Sequence, residues 1–130
     1  MADATQMAAT FDRLAAVFDP YRSSLKTKTD ERGDLYLETW PSTSYPKGLF
    51  FSAVKIGKRY VSFHLMPVYV HPDLLDTISP ALRKRMQGKS CFNFSKPDEA
   101  LFAELTELTA AGFASFLGEG LIAQEDHDGA

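Results

Sequence analysis

The sequence predicts a two-layer α+β domain in which a mostly antiparallel, five-stranded sheet carries helices on one face. Apolar residues recur every three to four positions near both ends of the chain, which is typical of helices packed on one side. Between these segments, apolar and polar residues alternate in short runs separated by turn residues, which favours strands joined in hairpins. The resulting order, α-β-β-β-β-α-β-α, lacks the repeated crossovers that build a parallel sheet.

The size and composition fit one globular domain. The chain has 130 residues, 45% of them hydrophobic and 24% charged. We expect a single domain over residues 1–120 and an acidic, disordered tail over residues 121–130. The lone cysteine, Cys91, excludes an intramolecular disulfide and multi-cysteine metal sites, which indicates a reducing compartment. No basic segment followed by an apolar stretch opens the chain and no apolar run has the length of a membrane span, so we expect a cytoplasmic protein without membrane contact.

The first predicted helix covers residues 4–18. Met7, Phe11 and Leu14 recur at helical spacing and form one apolar stripe. The helix should end before Pro20, because a proline ring obstructs continuation and disfavours helical backbone in the preceding residue.

Two hairpins are predicted in the middle of the chain. In the first, strands over residues 24–29 and 35–40 flank a turn at residues 30–33, where Gly33 can adopt positive φ. A loop over residues 41–46 follows, because its two prolines exclude a central strand.

The second hairpin is rich in aromatic and β-branched residues. It joins a strand over residues 49–56 to a strand over residues 60–66 through a tight turn at Gly57-Lys58.

Proline and glycine delimit the remaining elements. Ser79 is the expected N-cap of a short basic helix over residues 81–87, which Gly88 ends. A fifth strand covers residues 89–95, and Pro97 opens the last helix. Apolar residues at helical spacing form the stripe of that helix: Leu101, Leu105, Leu108, Gly112 and Phe116.

Charge is distributed unevenly along the chain. Residues 35–97 contain nine basic and three acidic side chains, whereas residues 98–130 contain no basic and eight acidic side chains. The densest basic run, Arg83-Lys84-Arg85, could attract an anionic ligand or a nucleic acid. We expect the acidic last helix to lie near this run and neutralise it, and a chain with a net charge of −3 does not favour nucleic-acid binding.

No catalytic or metal-binding motif is present. His64, His71 and Cys91 are the only soft or borderline metal ligands before the tail, and they lack the spacing of a zinc site. His64 as a general base has no identifiable nucleophile or orienting carboxylate. We therefore expect a protein that is not an enzyme and that has no metal site or cofactor.

Strand alternation predicts which residues share a face of the sheet. We expect the helices to contact Leu35, Leu37, Val61, Phe63, Leu65, Phe92 and Phe94. The opposite face would carry Tyr36, Glu38, Trp40, Tyr60, Ser62, His64, Cys91 and Asn93. One layer of helices cannot cover both faces, so this aromatic face is a homodimer interface, a groove for a small molecule or peptide, or a surface exposed to solvent.

These observations favour a binding or protein-interaction module that uses the aromatic face. In this hypothesis Trp40, Tyr45 and Tyr60 supply stacking surface, His64 and Asn93 form hydrogen bonds, and Arg85 or Lys89 holds an anionic group.

The aromatic hairpin over residues 50–64, followed by the strand over residues 88–94, resembles the YdhG-like proteins. In that family such a strand pair precedes a further strand, a proline and a terminal helix, which Pro97 and residues 98–117 match here. The resemblance implies a small bacterial domain with a two-layer, secretion-chaperone-like α+β fold. Because some relatives are described as frataxin-like iron chaperones, it also implies iron or metal handling as the alternative function.

Overall fold

The computed structural model describes residues 4–43 and 45–122, and these residues form four α-helices and five strands. The helices are α1 (Ala4–Ala16), α2 (Met66–Val70), α3 (Pro80–Arg83) and α4 (Glu99–Gly118). The strands are β1 (Lys26–Glu31), β2 (Asp34–Glu38), β3 (Phe50–Ile56), β4 (Val61–Leu65) and β5 (Cys91–Phe94). Two 3₁₀ helices, Asp19–Ser24 and Pro72–Thr77, lie in the connections. The predicted α+β class is confirmed.

The five strands form one antiparallel sheet in the order β1-β2-β3-β4-β5, so each strand pairs with the next one along the chain. β1 and β2 form the first predicted hairpin, and Gly33 in its turn has a φ of 85°. Hairpin geometry needs this left-handed conformation, which glycine adopts without steric cost.

One face of the sheet is packed against the helices. The predicted inward residues are all buried: Leu35, Leu37, Val61, Phe63, Leu65, Phe92 and Phe94. They share one core with Met7, Phe11 and Leu14 of α1 and with the buried stripe of α4. Alternation in the sequence therefore predicted the correct inward face on each of these strands.

A β-bulge in the pairing of β2 with β3 changes the alternation of β3. Glu38 pairs with Phe50 while Leu37 pairs with Ser52, so an extra residue, Phe51, is accommodated in β3. Phe51 and Ser52 are both buried, whereas Phe50 is half-buried. The bulge adds one aromatic ring to the core and leaves another on the opposite face.

The turn of the second hairpin lies further along the chain than predicted. The N–H of Gly57 donates to the carbonyl of Tyr60 at 2.8 Å, so Lys58 and Arg59 form the centre of the turn. Tyr60 belongs to this turn, and β4 begins at Val61.

The segment between β4 and β5 differs most from the prediction. The structure contains a helix that was not predicted, α2, which packs against α4. A Cβ on Gly112 of α4 would lie 2.8 Å from the Cβ of Pro67, so glycine permits this close contact. The hydroxyl of Ser79 caps α3 as predicted, since it accepts from the N–H of Leu82 at 3.1 Å.

The predicted helix over residues 81–87 is wrong beyond Arg83. The carbonyl of Arg85 accepts from the N–H of Asn93 at 2.8 Å, and the N–H of Gln87 donates to the carbonyl of Cys91 at 2.9 Å. Residues 85–87 therefore pair with the outer edge of β5. Hydrogen bonds to the edge strand replace those that a longer helix would have made.

Helix α4 begins and ends close to the predicted positions. The carboxylate of Asp98 accepts from the N–H of Leu101 at 3.2 Å and forms its N-cap. Among the described residues, α4 is the one helix long and apolar enough to cross a membrane, with a mean hydropathy of 1.3. Core helices of soluble proteins also meet that criterion, so the cytoplasmic location stays a prediction. Leu121 and Ile122 pack on the core, and residues 123–130 of the predicted tail lie outside the described residues.

Candidate functional site

Among the described residues, no helix covers the second face of the sheet, because the helices pack into the core on the first face. Residues in register on neighbouring strands share a face and form rows across the sheet. One row contains Tyr36, Ala53, His64 and Cys91, and the next contains Asp34, Lys55, Ser62 and Asn93. We name this surface the outer face. It also includes Phe50 on β3, Lys26 and Lys28 on β1, Glu38 on β2, and Trp40 just after β2.

An aromatic cluster occupies the middle of the outer face. The ring of Phe50 lies 4.9 Å from the ring of Tyr36 and 6.4 Å from that of His64, measured between centroids. The bulge in β3 positions Phe50 there. The cluster is half-buried by its own neighbours, and the side chains beside it in β4 and β5 are uncharged.

Lysines accompany the aromatic rings on the β1–β2 side of the outer face. The Nζ of Lys28 lies 5.2 Å from the ring centroid of Tyr36, and the Nζ of Lys26 lies 5.9 Å from that of Trp40. These are cation–π distances. The same Nζ of Lys26 is 4.0 Å from a carboxylate oxygen of Glu38. The charged residues of the outer face thus lie on β1, β2 and β3, and none lies on β4 or β5.

The chemistry of His64 and Cys91 is set by their partial burial. Burial lowers the pKa of His64 below its usual value of 6.5, which favours the neutral imidazole. Burial also raises the pKa of the Cys91 thiol, with a smaller opposing effect from the Phe63 backbone. A protonated thiol is a weak nucleophile, and no hydrogen bond in the described part of the chain joins His64 to a carboxylate. This pair therefore lacks the features of an activated cysteine–histidine site.

We expect the His64 ring to titrate with a midpoint below 6.5 in a pH series of NMR spectra. Because the folded state binds this proton less tightly than the unfolded state does, the free energy of unfolding decreases as the pH falls through 6.5. Below the folded-state pKa of His64 the ring is protonated in both states, so this residue no longer changes the free energy of unfolding. In His64→Gln this contribution is absent, so the difference in stability between wild type and variant should depend on pH only in that interval. A midpoint at or above the usual value would contradict the proposed effect of burial.

A second feature lies where the β3–β4 turn meets the edge of β5. An open cleft of about 190 Å³ is lined there by Tyr60, Lys84, Arg85, Met86, Gln87 and Asn93, and we name it the basic cleft. The Nδ2 of Asn93 donates to the Oε1 of Gln87 at 2.8 Å and joins two of its walls. The pairing of residues 85–87 with β5 positions Arg85 and Gln87 beside Asn93.

The cations of the basic cleft have no ion-pair partner among the described residues. The described part of the chain contains four ion pairs, and none of them includes Lys84 or Arg85. The acids of α4 bind elsewhere, since Glu99 pairs with Arg13 and Glu104 accepts hydrogen bonds from the N–H and hydroxyl of Ser79. Of the acidic residues in this region, Asp98 lines a neighbouring cavity together with both cations. The predicted neutralisation by the last helix therefore does not take the form of ion pairs.

The structure brings together three of the seven predicted binding residues, since Tyr60, Arg85 and Asn93 line the basic cleft. His64 lies in the centre of the sheet. Trp40 and Tyr45 lie in the β2–β3 connection, at the end of the sheet opposite the β3–β4 turn that carries Tyr60.

Lys89 lies apart from the other predicted binding residues. Its Nζ is 5.9 Å from the ring centroid of Tyr69, which is exposed on α2. Three residues of the cleft were not predicted from the sequence: Lys84, Met86 and Gln87. Lys84 belongs to the basic run already noted, whereas Gln87 gave no signal because it was assigned to a helix.

Metal handling, the alternative function, would require several ligand side chains around one ion. The described ranges, 4–43 and 45–122, contain no group of three or more His, Cys, Asp or Glu side chains placed to hold one ion. His71 instead lies 3.0 Å from a carboxylate oxygen of Glu119.

No family model, curated protein or solved structure matches this chain. The resemblance to YdhG-like proteins therefore stays a prediction.

Proposed function

We propose that the protein is a non-enzymatic protein-interaction module whose outer face binds a second copy of the chain. The observation that carries this proposal is the coverage of the sheet on one face only, with the cluster of Tyr36, Phe50 and His64 on the other. Contiguous apolar and aromatic surfaces on soluble proteins mark interaction sites. The low pKa of His64 keeps the centre of this surface uncharged at neutral pH.

The area of the outer face favours a partner that covers the whole sheet. The five strands have four to seven residues each, and with a strand spacing of about 4.8 Å and a rise of about 3.3 Å per residue they give a flat outline of roughly 24 Å by 18 Å. The relief of the side chains increases the accessible area beyond this outline. Stable interfaces bury about 800 Å² on each partner, so the face must be used almost completely, as it is when two sheets pack face to face.

The distribution of charge favours a second copy in a two-fold arrangement. Lys26, Lys28 and Glu38 lie on the β1–β2 side, whereas Ser62 and His64 on the β4 side are uncharged at neutral pH. A two-fold axis along β3 places the charged side of each copy over the uncharged side of the other. Such an interface uses the same surface on both copies and separates the charges of β1 and β2 from their counterparts, whereas Lys55, near the end of β3, lies close to its own counterpart.

Ala53 is the position at which this proposal can be tested. It lies on β3 in register with Tyr36 and His64, so it would be next to the two-fold axis. We expect Ala53→Arg to convert a dimer into a monomer, because the partner's sheet would force a long charged side chain out of the interface. Native mass spectrometry and light scattering measure the subunit count directly.

The matched control is Ala110→Arg, which adds the same side chain at an exposed position of α4. This variant should remain dimeric. A wild-type chain that is monomeric throughout a dilution series, or an Ala53→Arg variant that is still dimeric, would refute the proposed interface. Circular dichroism of both variants separates dissociation from unfolding.

A further inference from the structure

We propose that the basic cleft binds a phosphate monoester attached to a flat ring, as in a nucleoside monophosphate. The cleft shares Asn93 with the outer face, but its other lining residues lie in the β3–β4 turn and beyond the edge of β5, and this inference does not depend on the dimer proposed above. Four properties of the cleft support it: unpaired cations, an exposed aromatic ring, an amide pair between them, and a volume suited to the phosphate and the sugar.

The cationic end fits a phosphate group. Lys84 and Arg85 are adjacent and exposed, and neither forms an ion pair with a described acid. A planar guanidinium binds two phosphate oxygens at once, and a neighbouring ammonium adds a point charge. Arg85 also lines two adjoining cavities, one of them with Lys96, and Asp98 is the one acid that lines both. Approaching anions therefore meet a third cation close by.

Tyr60 supplies the aromatic end. Its side chain is 45% exposed at the β3–β4 turn, although it lines the cleft. An exposed ring at the rim of a cationic cleft is a stacking surface for a planar base, and such stacking tolerates different bases. The backbone of Tyr60 is fixed by its hydrogen bond to Gly57. The ring thus extends from a rigid turn.

The amide pair of Asn93 and Gln87 lies between these two ends. Asn93 donates one N–H to the carbonyl oxygen of Gln87 at 2.8 Å, so the second N–H of Asn93, the NH₂ group of Gln87 and the carbonyl oxygen of Asn93 retain hydrogen-bonding capacity. Cys91 donates to that same oxygen at 3.6 Å, which leaves one lone pair available. Together these amides present a donor and an acceptor, as sugar hydroxyls require.

The volume of the cleft sets the position of the ligand. At about 190 Å³, the cleft is smaller than a site that encloses a drug-sized molecule, for which about 300 Å³ is a lower bound. The phosphate and sugar therefore occupy the cleft, and the base lies on Tyr60 at its rim.

The test is an NMR titration of the isotopically labelled, full-length chain with four compounds: AMP, ribose 5-phosphate, inorganic phosphate and adenosine. We expect millimolar AMP to shift the amide signals of Tyr60, Arg85, Gln87 and Asn93. Affinity should decrease from AMP to ribose 5-phosphate to inorganic phosphate, and adenosine should cause no saturable shift. Arg85→Ala should weaken AMP binding by tenfold or more, the effect of about 1.4 kcal/mol.

Two further variants test the ring and the specificity of the charge. Tyr60→Ala should weaken AMP binding about tenfold while leaving ribose 5-phosphate unchanged, and Tyr60→Phe should bind AMP like wild type. Lys47→Ala, which removes an exposed cation from a distant loop, should have no effect. The Ala53→Arg variant should bind AMP at least as tightly as wild type, because Ala53 does not line the cleft and loss of the dimer uncovers Asn93.

Three outcomes would overturn the proposal. The first is the absence of saturable shifts with AMP. The second is an equal loss of affinity in Lys47→Ala and Arg85→Ala, which would show non-specific attraction of anions. The third is equal affinity for AMP and inorganic phosphate, which would remove the role of the ring. A wild-type chain that binds AMP as a monomer would refute only the dimer.

Discussion

Replacing Phe63 by alanine is expected to lower the free energy of unfolding by about 3–5 kcal/mol, the cost of removing a large aromatic side chain from a packed core. Phe63 is completely buried at the centre of the inner face. Its ring stacks on Phe18 at 5.1 Å and meets Phe92 edge-on at 6.3 Å, measured between centroids. The cavity would therefore open between the sheet and the segment that follows α1. Because the free energy of unfolding of native domains is only about 5–15 kcal/mol, this single change removes a large part of the stability of the protein.

Urea unfolding followed by circular dichroism measures this loss, and Phe50→Ala is the matched control. Phe50 is the same residue type on the neighbouring strand, but it lies half-buried on the outer face. The free energy of unfolding should decrease clearly less in Phe50→Ala than in Phe63→Ala, at protein concentrations low enough to prevent self-association. Equal losses in the two variants would mean that the assignment of the inner and outer faces is wrong.

Gly48→Ala is expected to lower the free energy of unfolding by about 3 kcal/mol. Gly48 has a φ of 83°, a conformation that costs an L-residue about 1–2 kcal/mol. An added Cβ would also overlap the carbonyl oxygen of Thr39. Relief of that overlap separates Thr39 from Leu49, which exchange two hydrogen bonds of 2.8 Å worth about 1 kcal/mol each.

Gly88→Ala is the control that measures only the cost of a positive φ in an L-residue. Gly88 has a φ of 80°, and nothing lies within 4 Å of the position of its Cβ. Gly88→Ala should lower the free energy of unfolding by about 1–2 kcal/mol. The difference between the two glycine variants measures the cost of the overlap with Thr39. Thermal and urea unfolding of both variants give this difference. A larger loss in Gly88→Ala would contradict the close approach at Gly48.

Sequence periodicity predicted the sheet well because the inward residues of β2, β4 and β5 are all apolar. In β2 and β4 each inward residue is flanked by polar neighbours, so a shift of register by one residue would bury polar groups. Local chemistry also predicted the cap of α3 correctly, since the hydroxyl of Ser79 accepts the hydrogen bond expected of an N-cap. These signals act over three or four residues and can be read without a structure.

The remaining elements depend on contacts between distant residues. Helix α2 is short and apolar and begins directly at the end of β4, so its residues resemble a continuation of the strand. Its position depends on the space above Gly112, more than forty residues away in sequence. Residues 85–87 have helical composition but pair with β5. Neither contact is visible in a local pattern.

The candidate sites were predictable to different degrees. The composition of the outer face follows from strand alternation, except for Phe50, which only the bulge in β3 places there. The basic cleft was not predictable as a unit, because it combines the β3–β4 turn, the segment after α3 and β5. Tyr60, Arg85 and Asn93 were each selected by residue type, and their proximity is a result of the tertiary structure.

The order of the strands has a consequence for folding during synthesis. Because spatial order equals chain order, each strand can pair with its predecessor as soon as it leaves the ribosome, and short connections make the first hairpins fast to close. Helix α1 is the exception. It is made first, but its contacts with the sheet are to β3 and β4. The apolar stripe of this helix therefore has no partner until the chain has been synthesised through Leu65, and this interval is when the nascent protein is most exposed to chaperones and to aggregation.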